Sequence, residues 1–182
     1  CVLCAEQYRF AGRSEDSVAL YDEVRKADVP KPRIIEATRG AILARNDKGI
    51  PLLLEQFQSF DKGLFQIGLS TAREFPGGEV DKALAAEITK ARPDRAALII
   101  GAMADRPETV VLPAILKAAE KGEKVVRLAA IDALGRVGNT SCLLSLFDIG
   151  IEADAEIAGA AKKSLIEIPG ENVDKNIVTR LN

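Results

Sequence analysis

Two cysteines at the start of the chain, Cys1 and Cys4, have the spacing that most clearly could support chemistry, because Cys-x-x-Cys pairs occur in thiol redox centres and metal sites. No histidine follows the second cysteine, as c-type haem attachment requires, and the pair lies on a predicted helix rather than after a strand. A third cysteine, Cys142, lies in the apolar face of another predicted helix, and an odd number leaves no complete disulfide framework. We therefore predict half-buried thiols at Cys1 and Cys4 and a core thiol at Cys142, with a redox or metal role for the first two as the alternative.

The chain contains no histidine at all. This removes catalytic triads, imidazole general bases and most zinc or iron sites. The carboxylates Glu152, Asp154 and Glu156 lead into a predicted helix, where negative charge complements the positive end of the helix dipole. Pro76-Gly77-Gly78 follows no strand, so we interpret it as a helix stop rather than a phosphate-binding loop. The sequence therefore predicts no catalytic residue, no cofactor, no metal site and no enzymatic activity.

Arginines recur near the ends of predicted helices, at Arg45, Arg73, Arg106 and Arg136. One interpretation is that they cap the last carbonyls and complement the negative end of the helix dipole. The other is that they form an arginine row along one face of the molecule. Both interpretations depend on how the helices that carry these residues are arranged.

The clearest of these helices is predicted over Glu123 to Asn139. Its apolar residues fall at the three- and four-residue steps that line one helix face: Val125, Val126, Ala129, Ala130, Ala133, Leu134 and Val137. Gly138 and Asn139 then end the helix, since both residues tolerate the left-handed conformation of a helix C-terminus. A helix with so much alanine on its buried side must lie close to neighbours on more than one flank.

The same pattern returns along the chain. Segments that resemble one another begin at Gly40, Leu69, Ile100, Ile131 and Lys163. The interval is nearly constant, with a slightly shorter first step and a slightly longer last step, and a period of about 30 residues is typical of helical-repeat proteins. The hydrophobic content is 47% but the aromatic content only 4%, which is typical of aliphatic helix-on-helix packing. The predicted class is therefore all-α.

The segment VRLAAIDALGRVGN, Val126 to Asn139, resembles the second helix of a HEAT repeat of the short kind called PBS-lyase HEAT-like. The resemblance implies a right-handed α–α superhelix, a solenoid of about five two-helix repeats. The phrases TRGAILAR, PLLLEQF, LSTAREFPG and AMADRPE are also similar to helical-repeat segments of large bacterial multidomain proteins, often extracytoplasmic, that join such arrays to sugar-processing or redox domains. That similarity implies a bacterial and extracytoplasmic context and no catalytic residue.

The predicted organisation has two parts that form one continuous solenoid. Residues 1–45 are predicted as irregular N-terminal helical repeats that include a hairpin similar to a TPR repeat, and residues 46–182 as HEAT-like repeats. Val173, Ile177, Val178 and Leu181 fit the apolar face of one more first helix without its partner. We therefore expect a piece of a longer protein, or a processed form, which could self-associate weakly through its C-terminal end.

The charge is close to balance, with 25 Lys and Arg against 27 Asp and Glu. A protein that contacts several phosphates usually carries a basic stripe, so we predict no nucleic-acid partner. No apolar run approaches the ~18–20 residues that a membrane span requires, so we predict no membrane span.

Function is expected on the second helices, which line the concave side in a HEAT-like superhelix. One aligned column stays small or polar: Ala41, Ser70, Gly101, Asp132 and Ser164. The next two columns are mostly apolar, so the first is predicted to face solvent or a partner. A neighbouring edge carries charges of both signs, which suit a protein surface better than a nucleic acid. The candidate binding residues are Ser70, Asp132, Arg45, Glu74, Asp105 and Arg136.

The sequence thus favours a non-catalytic scaffold that binds a protein partner or spaces flanking domains of its own polypeptide. An alternative is an enzyme or enzyme subunit of the PBS-lyase type, with a small ligand in the concave groove. A HEAT-like DNA glycosylase is a more distant alternative, because it requires a cationic concave face. Converging polar groups in a pocket would favour the lyase-like alternative, and a continuous smooth groove would favour the scaffold.

Overall fold

A computed structural model of the chain describes residues 2–169, and all regular secondary structure there is helical. The α-helices are α1 (Val2–Phe10), α2 (Ser14–Lys26), α3 (Lys31–Ala44), α4 (Ile50–Gln58), α5 (Lys62–Glu74), α6 (Glu79–Glu87), α7 (Pro93–Ala104), α8 (Leu112–Lys121), α9 (Lys124–Val137), α10 (Leu143–Gly150) and α11 (Ala155–Glu167). The predicted all-α class is therefore confirmed. None of the helices in this part of the chain is both long and apolar enough to cross a membrane. Cys1 and the predicted C-terminal helix lie outside the described residues.

The second helix of each pair begins at a strictly regular interval. These helices, α3, α5, α7, α9 and α11, start at Lys31, Lys62, Pro93, Lys124 and Ala155, so every step along the sequence has the same length. The same step separates Asp105 from Arg136, which are 31 residues apart. The unequal intervals expected at the two ends of the array are therefore corrected to this constant period. The reason is that the turn glycines after the helices, such as Gly138 and Gly170, are not spaced at this period, so an alignment that includes them loses the phase that the helix starts keep.

Burial follows the same period. Three positions of the second helix are buried in all five copies: Ala37, Gly68, Ile99, Ala130 and Ala161; Gly40, Thr71, Ala102, Ala133 and Ser164; and Ala41, Ala72, Met103, Leu134 and Leu165. Within one helix these positions are spaced so that they form one face. The repeat seen in the sequence is therefore also a repeat of packing.

The chain divides into two compact units after Ala83. In unit 1, α2 packs on α3, α4 packs on α5, and α3 and α5 contact each other directly, while α1 covers α2 and α3. The core between the first three helices contains Ala5, Tyr21, Ala37, Ala41 and Ala44. The alanines at four of these positions let the helices approach closely around the ring of Tyr21, as the alanine-rich sequence predicts.

Unit 2 begins at Leu84. There α8 packs on α9 and α10 packs on α11, while α9 lies between α7 and α11. Gly135 allows the close approach of α9 to α11, because a Cβ at this position would lie only 3.1 Å from the Cβ of Ser164. Consecutive second helices therefore pack side by side within each unit. The expected change of repeat type at residue 45 stays a prediction.

Two aspartates repeat the same contact between neighbouring helix pairs. Asp61 caps α5, accepting hydrogen bonds from the backbone N–H groups of Gly63 and Leu64, and Asp154 caps α11 in the same way. Each carboxylate also forms an ion pair with the first residue of the preceding second helix, Lys31 for Asp61 and Lys124 for Asp154. One carboxylate thus caps its own helix and ties it to the start of the second helix one repeat earlier.

Candidate functional site

The six candidate binding residues divide between the two units. Arg45, Ser70 and Glu74 belong to unit 1, whereas Asp105, Asp132 and Arg136 belong to unit 2. Five of them are exposed, and Arg45 is half-buried. Each group is therefore described within its own unit.

The expected column of small or polar residues is correct in its three middle members and wrong at both ends. Ala41 is buried in the core, and Ser164 is buried with its hydroxyl donating to the carbonyl of Ile131 at 2.8 Å. Both belong to positions of the repeat that face inward. The constant period replaces them with Arg39 and Lys163, and no member of the corrected column is buried.

Arg45 does not share a position with the other charged candidates. It is the C-cap residue that follows α3, and its guanidinium donates to the carbonyl of Ala41 at 2.8 Å and forms an ion pair with Asp22 on α2. The carbonyl-capping interpretation is therefore correct for this arginine, which also holds α2 against α3.

The arginine-row interpretation fails on the corrected period. Arg45, Arg73, Arg106 and Arg136 occupy four different positions of the repeat. Arg106 is moreover buried, with 9% of its surface exposed, whereas Arg73 and Arg136 are exposed. Residues at different positions of a repeat do not line up on one face, so they form no row.

Glu74 in unit 1 is already engaged by its own chain. Arg39 on α3 donates from Nε and Nη2 to the two carboxylate oxygens of Glu74 on α5, at 2.6 Å each. This bidentate hydrogen bond raises the pKa of Arg39 above its ordinary value. The pair joins consecutive second helices and leaves little uncompensated charge at this position. Sequence reasoning missed Arg39, although the recurrence of lysine at the starts of α3, α5 and α9 would have revealed the correct period.

In unit 2 the exposed surfaces of α7 and α9 lie side by side. We call this surface the α7–α9 face; it consists of Leu98, Gly101, Asp105, Val125, Asp132 and Arg136. An ion pair between Asp105 and Arg136 joins the C-terminal ends of the two helices. Leu98 and Val125 are each 47% exposed and contribute apolar surface. The face therefore combines aliphatic area with charges of both signs.

Asp132 gives this face an unpaired negative charge, and Gly101 leaves open surface beside it. No hydrogen-bonding or ion-pairing partner of the Asp132 side chain occurs within residues 2–169. At Gly101, one repeat earlier, a Cβ would meet no heavy atom within 4 Å, so the surface is open there. An exposed carboxylate beside open, partly apolar surface can accept a cationic group from another molecule.

The remaining candidates for chemistry are structural or isolated. Cys142 is fully buried, as predicted, whereas Cys4 is exposed on α1 rather than half-buried. Within residues 2–169, no three His, Cys, Asp or Glu side chains come together in a way that could hold a metal ion.

No protein-family model matches the chain. A search of the curated proteins likewise finds no match.

Proposed function

We propose that this chain is a non-catalytic helical-repeat scaffold whose second helices present a surface to a protein partner. In this proposal the array is a HEAT-like, right-handed α–α superhelix that also spaces flanking domains of a larger polypeptide. Two observations support the architecture: the constant interval between the starts of the second helices, and the direct packing of consecutive second helices within each unit.

The observation that carries the binding role is the unpaired carboxylate of Asp132 on the α7–α9 face. Two pairs of charged groups on the second helices compensate each other across neighbouring helices, Arg39 with Glu74 and Asp105 with Arg136. Asp132 stands apart from that arrangement and belongs to the same face as the aliphatic surface of Leu98 and Val125. Protein interfaces combine apolar area with complementary charge. The matching partner surface carries a lysine or arginine beside aliphatic side chains.

Affinity capture with the full chain from a lysate of its source organism, read by mass spectrometry, provides the first test. The affinity of a captured partner is then titrated against two variants. Asp132→Lys reverses the free charge, and Gly101→Phe fills the open surface beside it. We expect both variants to weaken binding by about tenfold or more.

Asp148→Lys is the matched control, because Asp148 is an exposed aspartate of α10 whose carboxylate also has no partner within residues 2–169. It makes the same change of charge away from the α7–α9 face and should leave the affinity unchanged. A partner that binds all three variants equally well would refute the proposed face. A stoichiometric small molecule without a protein partner would instead favour the lyase-like alternative.

A further inference from the structure

A groove beside α8 in unit 2 is a second candidate for binding. It encloses about 440 Å³ between α8, the segment from Ala85 to Ala96, and the start of α9. We call it the α8 groove. Its floor is aliphatic and consists of Ala85, Ile88, Ala96, Ala114, Ala118 and Val126. Its volume lies within the range of about 300–1,000 Å³ that is typical of ligand-binding clefts.

The floor of the groove has room because its side chains are small. Ile88, Ala96 and Val126 are buried, and Ala114 and Ala118 are partly exposed on the side of α8 that lines the groove. Most of the floor residues are alanines, so the opposing elements do not fill the space between them. Aliphatic side chains of another molecule would be removed from water on such a floor, which stabilises their binding.

The rim of the groove carries two uncompensated positive charges. Lys117 and Lys121 line the groove from α8, and their i,i+4 spacing places them one helical turn apart on the same face. Both are exposed, and neither ammonium group forms a hydrogen bond or an ion pair with any residue of the described part of the chain. By contrast, Lys31 and Lys124 both pair with carboxylates.

The charge along the groove is not uniform. Glu123, just before the start of α9, also lines it, and its carboxylate has no partner within residues 2–169. The α8 side of the groove is therefore cationic, while its far end carries one negative charge. An occupant that matches this pattern has carboxylates along one side and aliphatic groups facing the floor.

We propose that the α8 groove binds an acidic peptide segment of a partner protein. Two carboxylates of that segment, one helical turn apart, contact Lys117 and Lys121, and its aliphatic side chains cover the alanine floor. This inference rests on the proposed scaffold function and adds a second contact that does not involve Asp132. A helical segment fits best, because its i and i+4 side chains have the spacing of the two lysines.

The probe for this inference is a fluorescently labelled 12-residue peptide of glutamate, leucine and alanine, with glutamates at i and i+4 on one face and leucines on the adjoining face. Its binding to the full chain is measured by fluorescence anisotropy. Replacing its glutamates with glutamine should weaken binding about tenfold or more. The double variant Lys117→Glu, Lys121→Glu should produce a loss of similar size, because it replaces both attractive contacts with repulsive ones.

A second variant separates shape from charge. Ala118→Phe fills the floor without changing the charge, and it should also weaken peptide binding about tenfold or more. The matched control is the double variant Lys48→Glu, Lys162→Glu, which makes the same change of charge at two exposed lysines outside the groove and should bind the peptide normally. Far-UV circular dichroism confirms that each variant keeps its helices.

The inference is overturned if the peptide shows no saturable binding, if the glutamine peptide binds equally well, or if the groove variants bind like the control. Tighter binding of decanoate, an aliphatic carboxylate without a peptide backbone, would also overturn it in favour of a small amphiphile. None of these results depends on Asp132. Failure of the groove and failure of the α7–α9 face are therefore distinguishable.

Discussion

Replacing Gly40 with alanine tests the close approach of α2 and α3 directly. Gly40 lies in the interior of α3 and faces the aromatic ring of Tyr21 on α2. A Cβ built at this position would lie 2.2, 2.3 and 2.7 Å from three carbons of that ring. Tyr21 is fully buried, and its hydroxyl donates to the carboxylate of Glu6. The ring therefore cannot move without breaking a contact at its far end.

The two energetic effects of Gly40→Ala have opposite signs. Helix propensity alone favours alanine over glycine by about 0.8–1.0 kcal/mol. Overpacking a filled core costs about 1–3 kcal/mol. Displacing the Tyr21 hydroxyl from Glu6 removes a hydrogen bond to a charged group, which costs about 1.5–3 kcal/mol more. We therefore expect Gly40→Ala to lower the free energy of unfolding by about 2–5 kcal/mol.

The matched control is Gly101→Ala, a substitution in the interior of another second helix, where nothing lies within 4 Å of the added Cβ. It should raise the free energy of unfolding by about 1 kcal/mol or less. Urea unfolding followed by circular dichroism gives the free energies of unfolding. Hydrogen exchange measured by mass spectrometry should show that Gly40→Ala reduces amide protection in α1, α2 and α3.

The same substitution made in a Tyr21→Ala variant separates the steric clash with the Tyr21 ring from any other effect of Gly40→Ala. In Tyr21→Ala the ring is gone, so adding Gly40→Ala should no longer destabilise the chain. If Gly40→Ala stabilised the native protein as much as Gly101→Ala does, the close approach of the two helices would be refuted.

Two further predictions concern the packing between neighbouring helix pairs. Leu134→Ala removes a fully buried side chain of α9, so it should cost about 2–5 kcal/mol and speed hydrogen exchange in α7 and α11 as well; exchange that changes only within α9 would contradict the coupling. Hydrogen bonds from Lys124 and from the backbone of Ile157 lower the pKa of Asp154, and those from Lys31 and from Leu64 lower that of Asp61. The stability that these carboxylates contribute is therefore present above their ordinary pKa of 3.8 and lost as the pH falls through their lower folded values. The double variant Asp61→Asn, Asp154→Asn should accordingly lose less unfolding free energy than the native chain between about pH 5 and pH 2, as measured by urea titrations. An equal dependence of the unfolding free energy on pH in the variant and the native chain would contradict the pairing.

The sequence was sufficient to predict the helices and the pairing of α4 with α5, α8 with α9 and α10 with α11, because apolar periodicity and turn residues are local signals. It was less reliable for the phase of the repeat at the two ends of the array. The resemblance between the segments includes the glycines of the turns that follow the helices, and those glycines do not keep the constant period. Gly49 and Gly78 are closer together in the sequence, and Gly138 and Gly170 further apart, than the starts of consecutive second helices. The packing contacts repeat from the helix starts, so an alignment on the turn glycines shifts the first and last segments.

The exposure of Asp105 and Asp132 followed from the sequence, but the pairing of their charges did not. Asp105 and Asp132 look equivalent in the sequence, since both lie on the exposed side of a second helix. Their difference comes from their neighbours, because a side chain reaches the next turn of its own helix, the equivalent position of the adjacent repeat, or the position one turn further along that repeat, as Arg39 reaches Glu74. Asp105 finds Arg136 in the adjacent repeat.

Asp132 finds none of these partners, since the position one turn further along the next repeat is Glu167, another carboxylate. One repeat earlier is Gly101, which has no side chain, and one repeat later is Lys163, which pairs with Glu167 at 3.6 Å. One turn along its own helix is Arg136, which is engaged by Asp105. The charge of Asp132 is therefore left uncompensated by the arrangement of its neighbours. Substituting Gly101 with lysine would place a cation at the one vacant neighbouring position and should remove the attraction of this face for a cationic partner.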